Sequence, residues 1–200
     1  MGMLYTVART VYGPLHTLLR QRELGAEHLP AGGFVLASNH LSNLDPFALA
    51  WALWPRPVSW MAKAELHNAA LDRAMRSLNA FPIRRGEVDT GAYRAAQELL
   101  RGGAIIGMFP EGTRRTKGMR KKFRPEAHPG TARIALGAGV PLVPAAIAGT
   151  DRLSRRGPVT IAYGPAIQVD DLASLPRRRA AEIATERLMA AIDSLYDELE

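Results

Sequence analysis

Apolar residues recur along this chain in two rhythms, one helical and one strand-like, and the two take turns. From residue 3 to residue 22, Leu4, Val7, Val11, Leu15, Leu18 and Leu19 fall at helical spacing, with Arg9, Arg20 and Arg22 among them. The pattern predicts an amphipathic helix. Pro14, after Gly13, should kink or split it, because proline removes an amide donor and clashes with the preceding turn. The turn residues PAGG at 30–33 come next, and then FVLAS at 34–38 reads as a buried strand. Asp45-Pro46 is a helix start, with Asp as N-cap and Pro at the first helical position of a helix over 46–54.

The alternation continues to the end of the chain. Strands are predicted at 57–62, 80–83, 104–109, 140–148 and 158–164. Helices are predicted at 65–78, 90–103 with its glycine stop, 130–138, and from Pro176 to the end. Residues 110–130 form a long polar loop. Strands alternating with helices argue a single α/β domain, with a largely parallel mixed sheet flanked by helices. No repeat, low-complexity tract or linker marks a second domain. The boundaries read as an N-terminal amphipathic segment, 1–24, and a folded domain, 25–200.

In sheets of this kind, ligands bind beyond the carboxyl ends of the strands. Three polar clusters fall at such ends: Asn39-His40, Arg84-Arg85, and Pro110-Glu111-Gly112-Thr113-Arg114. Three clusters on one edge suggest one site. His40 and Asp45 are five apart with Ser42, Asn43 and Pro46 around them, which suggests a turn rather than a helix face. A histidine can take a proton from a hydroxyl, and a carboxylate on its other ring nitrogen fixes the tautomer and stabilises the imidazolium. Taken alone, the pair also fits a capping aspartate beside a satisfied core histidine. The Glu111–Arg114 loop offers backbone N–H groups, a hydroxyl and a guanidinium, a set suited to a phosphate or an oxyanion. Glu111 could orient Arg114 or accept from a polyol hydroxyl. Lys63, at a strand end, could add a phosphate contact.

Composition narrows the chemistry. The chain has no cysteine, which excludes disulfides, thiolate catalysis and Cys-type zinc sites. Its formal net charge of +7 favours anionic partners. No nucleic-acid-binding motif accompanies that charge. The dense run KGMRKKFR at 117–124 could meet anionic lipid, or it could be a solvated loop. The longest apolar run, FALAWALW at 47–54, is far short of the roughly 20 residues of a spanning helix. No signal-peptide pattern opens the chain. No H-E-x-x-H or carboxylate cluster supports a metal.

Four blocks in order carry a resemblance: NHLSNLD at 39–45, NAFPIRRG at 79–86, FPEGTRR at 109–115 and VPLVPAAIAG at 140–149. Over roughly residues 25–150 the chain resembles the glycerolipid acyltransferase family, in particular the bacterial 1-acylglycerol-3-phosphate acyltransferases. The resemblance implies that His40 is the general base for the acceptor hydroxyl and that Asp45 orients and charge-stabilises it. It implies direct attack on acyl-CoA or acyl-carrier protein, with no acyl-enzyme, cofactor or metal. Lys63, Arg84, Glu111, Gly112, Thr113 and Arg114 would bind the glycerol phosphate of lysophosphatidic acid, and Pro144 would shape the acyl-donor pocket. It implies a peripheral or monotopic seat on the cytoplasmic face of the cell membrane, against anionic lipid. The same chemistry on another lysolipid acceptor, or a catalytically silent lipid binder, are the alternatives.

Overall fold

The computed structural model describes residues 3–64, 72–77, 79–83, 89–117, 121–122, 125–152 and 158–199. Nine strands are described: β1 (Arg22–Leu24), β2 (Phe34–Ser38), β3 (Val58–Lys63), β4 (Ala80–Ile83), β5 (Ile105–Met108), β6 (Thr116–Lys117), β7 (Lys121–Lys122), β8 (Leu142–Ala148) and β9 (Thr160–Tyr163). The helices are α1 (Met3–Leu18), α2 (Asp45–Ala52), α3 (Asp72–Ser77), α4 (Thr90–Arg101), α5 (Gly130–Ala138) and α6 (Arg177–Leu199).

Seven strands make one sheet in the order β1-β9-β8-β2-β5-β3-β4. All neighbours pair in parallel except β8 with β9. The α/β class and the mixed, largely parallel sheet therefore agree with the sequence pattern. β2 lies at the centre, between β5 and β8. Its five residues are all buried, which is why FVLAS reads as an unbroken apolar run rather than an alternating one.

Successive strand residues point to opposite faces, and the two cores follow that rule. On one face Phe34, Leu36, Val143, Ala145 and Ile147 pack with Tyr12 and Leu19 from the α1 region and with Ala48 and Leu49 of α2. On the other, Val35, Ala37, Ile106 and Leu142 pack with Ala96 and Leu100 of α4, Ala132 and Ile134 of α5, and Ala184, Leu188 and Ile192 of α6.

Three details differ from the sequence expectation. First, α1 runs as one helix through Pro14 instead of splitting. Pro14 lies on the exposed side, where water can serve the carbonyl that proline leaves unbonded. Second, the helix stops at Leu18, and Arg20 takes a left-handed backbone with φ 47°. Residues 22–24, partly predicted as helix, instead add an edge strand to β9. Third, α2 begins at Asp45 itself, with Leu44 at the N-cap. Asp45 makes no capping bond to its helix; its carboxylate turns back toward the preceding loop. Of the predicted helix 65–78, residues 72–77 are described and helical, and the rest lie outside the described residues.

Candidate active site

The site is built on the carboxyl end of β2. Asn39, fully buried, ties that end to β8: its Nδ2 donates to the carbonyl of Ile147 at 2.9 Å, and its carbonyl accepts from the Ile147 N–H at 2.8 Å. The chain then turns, because Asp45 gathers the turn around one carboxylate. Oδ2 of Asp45 accepts from the N–H of Leu41 at 2.6 Å and of Ser42 at 2.8 Å. The same oxygen lies 2.7 Å from Nδ1 of His40. Oδ1 accepts from the hydroxyl of Thr150 at 2.5 Å. Asp45 has no exposed surface, and a buried carboxylate needs this set of donors.

A carboxylate only accepts, so the proton of the neutral imidazole sits on Nδ1 and Nε2 carries the lone pair. Here the turn does what the five-residue spacing suggested. The His40 side chain keeps 18% of its surface exposed. One face of its ring lies on Phe109, with centroids 4.1 Å apart and planes at 18°. Phe109 in turn stacks on Trp60, at 5.3 Å and 10°. Gly107 makes room for that stack: a Cβ there would meet the Trp60 ring at 2.5 Å. The imidazole is thus held at Nδ1 by a carboxylate and on one face by an aromatic pair.

The second motif approaches from β5. Phe109-Pro110-Glu111-Gly112 closes a tight turn, with the Gly112 N–H donating to the Phe109 carbonyl at 2.9 Å and Gly112 at φ 63°. Glycine suits that left-handed backbone. Three residues on, the N–H of Arg115 donates to the carbonyl of His40 at 2.6 Å. That bond joins the loop of Glu111–Arg114 to the turn of His40–Asp45.

The residues predicted for acceptor binding divide. Thr113 and Arg114 are exposed on this loop, and Gly112 is partly exposed. Glu111 is not on that surface. Its side chain is only 1% exposed and is paired with Arg115, not with Arg114, at 2.6 Å. Burial pushes its carboxyl above the ordinary carboxylate range, against the pull of the Arg115 guanidinium. Lys63 ends β3, beside Ile83 in register, but its side chain lies outside the described residues, as does Arg84. Pro144 is buried in β8, paired with Ala37 and facing Gly164 and Leu195 on the α6 side of the sheet. Of the cationic run 117–124, only Lys117, Lys121 and Lys122 are described, on the antiparallel pair β6–β7. Among the described residues no group of three metal-ligating side chains gathers.

Two residues that hold the site escaped the sequence reading: Thr150, on Asp45, and Arg115, under His40. The first lies 105 positions from its partner, and no spacing signals such a contact. Arg115 was visible as the last residue of FPEGTRR, yet nothing in the string separates a buried arginine from an exposed one.

Comparison with known proteins gives this arrangement its class. Residues 21–148 match the acyltransferase family. The chain belongs to that family. It is 31% identical over 179 residues to the 1-acyl-sn-glycerol-3-phosphate acyltransferase of Bacillus subtilis, covering 87% of each chain. The corresponding enzyme of Pseudomonas aeruginosa is 32% identical over 132 residues, 64% of this chain and 49% of its own length. A probable 1-acyl-sn-glycerol-3-phosphate acyltransferase of Mycoplasma genitalium is 31% identical, and the match spans less than half its length, 46%. The fold is that of the 1-acyl-sn-glycerophosphate acyltransferase PlsC from Thermotoga maritima, with a TM-score of 0.66 over 96% of this chain and 79% of that one, at 23% identity.

Proposed function

We propose that this acyltransferase moves a fatty acyl group from a thioester, acyl-CoA or acyl-carrier protein, to the sn-2 hydroxyl of 1-acylglycerol 3-phosphate, making phosphatidic acid. The activity by which its relatives are named supports that acceptor. The observation that carries the mechanism is the 2.7 Å contact of His40 Nδ1 with the buried Asp45, which leaves Nε2 as the basic nitrogen.

Nε2 takes the proton of the acceptor hydroxyl as its oxygen attacks the thioester carbonyl. The new C–O bond forms, the C–S bond breaks, and the departing thiolate takes the proton back from the imidazolium. Asp45 stabilises the imidazolium while it exists and holds the tautomer throughout. Gly112, Thr113 and Arg114 receive the acceptor phosphate, with Arg84 of the NAFPIRRG block and Lys63 at the end of β3 completing the cationic set. Glu111 serves from behind the loop, through Arg115. Pro144 acts on the donor side through the packing of β8, since its ring is enclosed.

The enzyme sits peripherally on the cytoplasmic face of the cell membrane. No helix among the described residues is long and apolar enough to cross a bilayer. Val7, Val11, Pro14 and Leu18 fall on one face of α1 and are exposed there. Phe47 of α2, which packs against α1 through Trp51, and Trp54 in the turn after α2 are exposed as well. An apolar face on a chain of net charge +7 suits an anionic lipid surface.

The test is transfer from palmitoyl-CoA and from palmitoyl-carrier protein to 1-oleoyl lysophosphatidic acid, with wild type beside His40→Ala. Phosphatidic acid should form with wild type and fall at least ~10²-fold in the variant, as for loss of a general base. Equal rates would remove His40 from the chemistry. Wild type inactive on lysophosphatidic acid but active on another lysolipid would move the acceptor and keep the mechanism.

A further inference from the structure

Arg115 lies just past the Glu111–Arg114 loop, where an arginine would ordinarily point to water. Its side chain is instead 3% exposed, and the Glu111 carboxylate beside it 1%. Burying a guanidinium is unfavourable unless its charge is met; the charge is met here, while Nη1 and the Oε2 of Glu111 lie buried without a hydrogen-bond partner among the described residues. Here Nε donates to Oε1 of Glu111 at 2.6 Å, and Nη2 donates to Oδ1 of Asp193 at 2.8 Å. The ring of Tyr196 lies 5.0 Å from the guanidinium carbon. Asp193 and Tyr196 both belong to α6, 78 and 81 positions further along the chain. Burial works against the charge of Arg115, and the two carboxylates outweigh it, holding the guanidinium more firmly protonated than an ordinary arginine.

The backbone of the same residue reaches the reacting group. Its N–H holds the carbonyl of His40 at 2.6 Å. His40 is otherwise fixed through its ring, by Asp45 and Phe109, and through its neighbour Asn39, by β8.

We propose that Arg115 is a positioning residue for His40, and that Asp193 of α6 completes its hold, so that the C-terminal helix sets where the catalytic imidazole stands. The proposal rests on His40 being the general base. The fork geometry matters, because the guanidinium meets two carboxylates from two elements with fixed directions. A lysine ammonium is a single point and cannot reproduce both bonds. With the fork lost, the loop from Pro110 to Arg115 keeps its turn but loses its anchor on α6, and the backbone hydrogen bond from Arg115 to the His40 carbonyl goes with it.

Three variants test this: Arg115→Lys, Asp193→Asn, and Glu186→Gln as a control on an exposed part of α6. Each is checked for folding by circular dichroism and thermal melting. Each is then read in two ways, by kcat and KM for lysophosphatidic acid with palmitoyl-CoA or palmitoyl-carrier protein, and by the downfield proton resonance of His40 Nδ1–H. In both brace variants kcat should fall ~10- to 100-fold, the scale of an ångström's misplacement of a reacting group, with KM changed less than about twofold. The His40 resonance should shift or broaden in both and stay put in Glu186→Gln. Should Arg115→Lys fail to fold, Asp193→Asn decides, since that carboxylate is 28% exposed and its loss is milder. Folded brace variants with an unmoved His40 resonance overturn the proposal, whether kcat is normal or only KM has risen. The resonance reads position without turnover, so it stands even if His40→Ala keeps its activity and the general-base reading fails.

Discussion

A single aspartate organises the centre of this enzyme. Asp45 spends one oxygen on His40 and two turn amides, and the other on Thr150. The hydroxyl of Thr150 leaves Oδ2 wholly to the turn. In Thr150→Val, which keeps the shape, Oδ1 would be buried without its donor. The cost is about 1–3 kcal/mol, the penalty for an unsatisfied buried polar group. Urea unfolding should show it as a lower midpoint with an unchanged slope. Activity per folded molecule should fall too, because a carboxylate free to rotate holds the imidazole less well. Wild-type stability in that variant would mean that Oδ1 finds another donor. At this scale the sequence pointed to the pairing of His40 with Asp45, which lie five positions apart. It was silent about Thr150 and Arg115, whose partners are brought close only by folding.

Among the elements, the parallel pairing of β3 with β5 links packing in the sheet to His40. Gly107 is paired with Trp60 in register, and the Trp60 ring occupies the space a side chain at 107 would take. Trp60 supports Phe109, and Phe109 supports His40. Gly107→Ala should therefore destabilise by about 1–3 kcal/mol through overpacking, and displace the stack. The expected signs are a lower melting temperature and a lower kcat at unchanged acceptor KM. A normal kcat in the folded variant would mean that the stack yields without moving His40. The apolar run at 104–109 was legible as a strand, and Gly107 within it was not legible as a seat for an indole. Proline and aspartate misled in a related way. Pro14 and Asp45 carry strong local preferences, for a break and for a cap. In the fold, Pro14 meets solvent and Asp45 meets a turn that needs its carboxylate more than the helix does.

The molecule as a whole presents α1 as its apolar outer face. Val7 is 47% exposed, Val11 69% and Leu18 58%, while Tyr12 of the same helix and Leu19 just beyond it are buried. The helix is thus at once a packed element and an amphipathic surface. With vesicles of phosphatidylglycerol, binding should weaken as salt rises, since the net charge of +7 is screened. Val11→Asp should weaken it at least about tenfold, from the loss of ~1.5 kcal/mol or more of apolar burial. A sedimentation assay over a salt series reads both. Salt-sensitive binding that ignores Val11→Asp would place the lipid contact on the basic loops instead of on α1.

What the sequence alone determined is whatever short-range pattern can encode. Alternating periods specify an α/β domain, buried apolar runs specify a central parallel sheet, and four motif blocks in order mark the acyltransferase family. Those signals are local because a strand, a turn or a helix is decided by residues within a few positions of each other. Only the tertiary structure decided which charges are buried and what packs against His40. Thr150 reaches Asp45 across 105 positions and Asp193 reaches Arg115 across 78. The physical reason is that an arginine or a threonine has the same local preferences in either setting. Its burial is fixed by which elements the sheet order and the closing helix bring against it.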